Sequence, residues 1–185
     1  MKADEFVIEA GTPTFFLQFK GLWDMQDVYA TIADFLRRQK FKLHEKMQRH
    51  RAPSPFGIER QYLFEAERVT EEYYKWFITV DIETFDEHEV EVITKEGFKK
   101  KMAKGRMWVR VSGRVETDYD KMWEKSAFMA QLRNFYNKYV IRKTWEGVLW
   151  DEMYYNIIQK MFNVIKERLH TVSEGYEHRH FSKVH

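Results

Sequence analysis

Hydrophobic positions along the chain change period several times, and each change marks a new element. Phe15-Phe16-Leu17-Gln18-Phe19 is a short apolar run of the kind a strand makes. Gly21 follows, then Asp24 stands where a helix N-cap is wanted, with Trp23 and Val28 at the positions of a hydrophobic staple. Met25, Val28, Tyr29, Ile32, Phe35 and Leu36 recur at spacings of three and four, which predicts an amphipathic helix over about 25–38. Asp34 and Arg38 are its polar-side pair. From Phe41 to Ala66 the period falls to two. Phe41, Leu43 and Met47 alternate with Lys42, His44 and Lys46, a break follows over Pro53-Ser54-Pro55-Phe56-Gly57, and Ile58, Tyr62, Phe64 and Ala66 mark a second strand.

The third strand is the clearest. Trp76, Ile78, Val80 and Ile82 point one way, and Lys75, Thr79, Asp81 and Glu83 the other. Val90 and Val92 predict a further short strand. Met107, Val109, Val111 and Val115 predict a last one, with Arg106, Trp108, Arg110, Ser112 and Arg114 outward. Short breaks between strands imply antiparallel hairpins, and one-faced patterning implies a sheet covered on one side only.

Two helices close the pattern. Phe128, Met129, Leu132, Phe135, Tyr136, Tyr139 and Val140 form a stripe over about 126–141, read as covering the sheet. A longer helix is expected over about 145–169. At about 100° per residue, Met153, Tyr154, Ile157, Ile158, Met161, Phe162, Val164 and Ile165 span an arc of roughly 200°, wide enough for two neighbours: the sheet, and another helix or subunit. The expected fold is α+β: an antiparallel sheet of about five to six strands, with an N-terminal helix and two C-terminal helices on one face. One domain is expected over 1–172, and a polar tail over 173–185.

Composition narrows the function classes. A chain of 185 residues with 44% hydrophobic and 17% aromatic residues has ample core material. Having no cysteine removes disulfides, thiolate metal sites and cysteine nucleophiles. Asp4 and Glu5 stand where a signal peptide wants cations, and no long apolar span follows, so a cytoplasmic address without an integral membrane segment is expected. With 31 basic against 29 acidic residues, the net charge of +2 does not suit a general nucleic-acid binder.

Motifs for chemistry are sparse. The eight glycines form no phosphate-binding loop, and none of the serines sits in a nucleophile elbow. His178, His180 and His185 read as a solvated tail rather than a metal site, and Asp81 and Glu83 as cross-strand partners of Arg110 and Arg114 rather than an acid–base pair. No catalytic residue, metal or cofactor is assigned.

The most specific feature is basic. Gly97 and Gly105 bracket an expected loop with Lys99, Lys100, Lys101 and Lys104, followed by Arg106, Trp108, Arg110 and Arg114. Such a surface suits an anion or acidic partner, with Trp108 free to stack, unless Glu89 and Glu91 neutralise it. Phe77, Phe85 and Trp108 form a candidate apolar patch on the same face, for which Phe6, Val7 and Ile8 are a candidate cover.

The order of helix, antiparallel strands and long C-terminal helix resembles the helix-grip layout of START and polyketide-cyclase-like ligand-binding proteins. Phe19-Lys20-Gly21, Lys104-Gly105-Arg106, and Leu132-Arg133 with Tyr136, Lys138 and Tyr139 resemble a set of uncharacterised archaeal proteins over about residues 15–165. The first resemblance implies a fold; the second implies no activity.

Two readings follow. In the first the chain is a non-catalytic interaction module, using the basic-aromatic sheet face or the surplus arc of Met153, Tyr154, Ile157, Ile158, Met161, Phe162 and Ile165. A protein partner or a second copy is preferred to nucleic acid. In the alternative, a small apolar ligand or substrate fills a cavity between the long helix and the sheet, lined by Met153 and Met161.

Overall fold

The computed structural model describes residues 9–54, 57–69, 73–93 and 99–169. Strands β1 (Glu9–Gly11) and β2 (Phe15–Trp23) precede α1 (Met25–Arg38). Strands β3 (Lys42–Ser54), β4 (Gly57–Val69), β5 (Tyr74–Ile93) and β6 (Lys99–Thr117) follow. The sheet order is β1–β6–β5–β4–β3, every pair antiparallel, and β2 takes the same edge of β6 after β1. Thr12 bridges the two: its N–H donates to Gly113 O at 2.7 Å, and its Oγ1 accepts from Gly113 N at 2.9 Å.

Alternation sorts the two faces. Phe64, Trp76, Ile78, Val80, Ile82, Met107, Val109, Val111 and Val115 fill the covered side, where Val80, Val109 and Ile158 share one hydrophobic cluster at 0% exposure. Helix α1 starts as its sequence predicts: the Asp24 carboxylate accepts from Gln26 N at 2.9 Å. It buries Val28, Ile32, Ala33 and Leu36. Its polar-side pair is Asp34 with Arg37 rather than Arg38.

Two strand expectations are corrected. Val90 and Val92 belong to β5 itself, which runs 20 residues through a register shift between Phe85 and His88, with Asp86 at φ +53°. Lys99–Lys104 is not a loop but the first part of β6, paired with His88–Ile93. A bulge hides the continuity because it resets the side-chain alternation. Gly97, Phe6, Val7, Ile8, the turn at 55–56 and the C-terminal histidines lie outside the described residues.

The C-terminal helices bend at Ile141. The first comprises α2 (Ala127–Phe135) and a π-helical turn, Tyr136–Val140. The second runs through α3 (Arg142–Gly147), a π-helical stretch Val148–Gln159, and α4 (Lys160–Arg168). On the second, Leu149, Met153, Ile157, Met161, Ile165 and Leu169 recur every fourth residue and are all buried. In an α-helix of 3.6 residues per turn such a row drifts by about 40° per step. The wider π turn lets it fall back, so the row stays on the sheet. The helix meets two neighbours, as its wide apolar arc requires, and the first is the sheet. Its second neighbour is α1, which packs against α4 and is joined to it by the Asp27–Arg168 ion pair. No helix among the described residues is long and apolar enough to cross a membrane.

Candidate interaction face

The first C-terminal helix is inside out relative to its sequence pattern. Its buried residues are Arg133 and Asn137, four positions apart on one face. Phe128 is 71% exposed, Tyr139 65%, and Leu132, Phe135 and Val140 are exposed as well. The stripe read as a sheet cover points away from the sheet.

The reason lies where β6 ends. Asp118 adopts φ +55°, donates its N–H to Tyr73 O at 3.0 Å, and caps the next turn by accepting from Met122 N at 2.9 Å. Its other carboxylate oxygen meets Arg133 Nη1 at 3.3 Å. The Tyr73 hydroxyl donates to Asn137 Oδ1 at 2.5 Å, and burial pushes that hydroxyl above the usual tyrosine range. Tyr136 stacks on Trp123 at 5.7 Å and meets Tyr73 edge-on at 6.0 Å. Buried polar groups must be paired, so these partners take the helix face that carries Arg133 and Asn137 and turn the opposite face to solvent. Ser126 supplies the N-cap, accepting from Met129 N at 3.2 Å. On the outer face Phe135 and Tyr139 touch at 5.0 Å, with the Lys138 ammonium 5.3 Å from the Tyr139 ring.

Alternation along β6 divides the basic residues singled out from sequence between its two faces, Lys99 and Lys101 opposite to Arg106, Arg110 and Arg114, and most of them meet carboxylates. Lys99 pairs with Glu91 at 3.9 Å, Lys100 with Asp24 at 2.7 Å, and Lys101 with Glu89 at 3.5 Å. Arg106 meets Asp86 at 2.6 Å, and Arg114 meets Glu65 at 3.3 Å. Arg110 bridges Asp81 at 2.7 Å and Glu83 at 2.6 Å; burial opposes its charge, but the two acids outweigh that and raise its pKa. Lys104 and Arg106, with Lys20 and His88, line an open hollow of about 730 Å³. Phe77 is buried, covered by Arg114 at 4.2 Å and Lys75 at 5.1 Å, while Trp108 packs between Phe85 and Phe16. Cation–π contacts close most of that apolar patch.

The long-helix residues are spent inside the chain. Met153, Ile157, Ile158, Met161 and Ile165 are buried, and Tyr154 and Phe162 pack on Phe15 at 5.1 and 5.0 Å. Gly113 lets this helix press on β6, since a Cβ there would lie 2.5 Å from Ile158 Cδ1. Sequence reasoning missed the outward stripe because its spacing is equally that of a core face. The available signal was the paired Arg133 and Asn137 opposite, which need buried partners.

Neither a family model nor a curated protein matches the chain. Among solved structures, the di-domain ARO/CYC BexL from the BE-7585A biosynthetic pathway aligns at 10% identity with a TM-score of 0.25, over 90% of this chain and 52% of that one. The chain thus spans about half the length of that protein, and a likeness at this score carries no argument.

Proposed function

We propose that the protein is a binding module that self-associates through the outward face of helix 127–140. The observation carrying this reading is Phe128, Leu132, Phe135 and Tyr139 exposed together at spacings of four, three and four. That is the repeat with which one helix packs along another. A second copy suits the face better than a charged partner does. Between Ala127 and Val140 the only exposed charge is Lys138, near one end of the stripe. An antiparallel twofold pairing keeps the two copies of Lys138 apart.

The magnitude decides what kind of dimer this is. Large aromatic side chains bury about 150–250 Å² each, so the partly exposed stripe supplies roughly 500 Å² per partner. A standard interface takes about 800 Å² per partner, which places this one in the weak class, with a Kd of about 10 μM. The basic-aromatic sheet face offers a partner less, because six of the seven cations singled out from sequence already sit beside carboxylates and Lys99 and Lys101 alternate to the other side of β6.

Sedimentation velocity from about 1 to about 200 μM tests the reading. A mass rising toward the dimer is expected for the wild type, and a constant monomer for Phe128→Glu with Phe135→Glu. A wild-type monomer throughout, or a double variant that associates like the wild type, overturns it.

A further inference from the structure

We propose that the cleft between α1 and strands β3–β5 binds an organic cation carrying an apolar or aromatic body. Helix α1 covers only part of the sheet, and beyond it lies an open cleft of about 470 Å³, within the range of small-molecule sites. One wall is aromatic: Phe64 lies 5.4 Å from Tyr29 and 6.4 Å from Tyr62, the latter pair stacked at 11°. Met25 and Met47, adaptable in shape, complete the apolar lining.

The charge comes from Glu45. Alternation from Phe41 and Leu43 assigns residue 45 to the covered face, and it stands opposite Phe64 in the register. An acid thus occupies a position where the row calls for a hydrophobe, and a register shift follows at once between Glu45 and Met47. No ion pair among the described residues engages it. Glu89, at the other rim, lies 3.5 Å from the well-exposed Lys101. The cation within the cleft, Arg60, is already neutralised: its Nη1 donates to Glu87 at 2.7 Å, and Glu87 also accepts from Thr84 Oγ1 at 2.8 Å. An open carboxylate beside aromatic faces is the combination that recognises ammonium groups. An anion would meet Glu45 and Glu89 without a free cation.

The test is an NMR titration of the full chain, labelled at methionine methyls, with benzyltrimethylammonium. The resonances of Met25 and Met47 are expected to shift, while those of the buried Met107, Met153 and Met161 stay and report an intact fold. Glu45→Gln should weaken the probe about tenfold. The proposal is overturned if Met25 and Met47 do not respond at millimolar probe, if Glu45→Gln binds equally, or if benzoate or benzyl alcohol shifts the same resonances as strongly.

Discussion

Arg133 lies within 3.3 Å of Asp118, and both side chains are almost wholly removed from solvent. This pair joins the end of β6 to the middle of helix 127–140 and decides which side of that helix faces out. Removing one partner of a buried ion pair leaves an uncompensated charge, at a cost of about 3–5 kcal/mol. Arg133→Leu is therefore expected to lower the urea-unfolding free energy by about 3 kcal/mol, with part recovered when Asp118→Asn is added. A loss below about 0.5 kcal/mol would remove the pair from this role.

Gly113 sets how closely the long helix sits on the sheet. A Cβ at this position would lie 2.5 Å from Ile158 Cδ1 and 2.9 Å from Met153 Sδ. Those are side-chain ends, so Ala should be tolerated by small shifts, whereas Val overpacks the core by about 1–3 kcal/mol. Urea midpoints of the two variants check this. A neutral Gly113→Val would mean that space exists between helix and strand.

Acid should weaken the fold partly through Asp24. Burial pushes its pKa up, but Lys100 and the backbone N–H groups of Gln26 and Asp27 outweigh that and hold it below 3.8. Glu67 is held down in the same way, first by Lys75. A lowered folded-state pKa stabilises above the unfolded value and is lost as pH falls through the folded one. Asp24→Asn keeps the cap but not the titration. Its urea midpoint should therefore depend less steeply on pH than the wild type's between about pH 5 and 2. Identical slopes would show that Asp24 does not contribute.

Much of this architecture was legible along the chain wherever one period held. The run Met25–Leu36 named its helix and buried face, and Trp76–Ile82 and Met107–Val115 named the central strands. Breaks in period misled. The bulge between Phe85 and His88 made one strand look like two. Phe128, Leu132, Phe135 and Tyr139 failed for a different reason. Spacing says that residues share a face, but only the partners of Arg133 and Asn137, distant in sequence at Asp118 and Tyr73, say which way that face points. The same holds for Glu45, whose meaning depends on how far α1 reaches across the sheet.

The absence of cysteine allows the proposed face to be located directly. Leu132→Cys places a thiol at the centre of the exposed stripe, and Asn163→Cys places one on the exposed side of α4. Under mild oxidation at about 100 μM, above the expected dissociation constant, Leu132→Cys should give a covalent dimer and Asn163→Cys should remain monomeric. Cross-linking of neither variant, or of both to the same extent, would contradict association through helix 127–140.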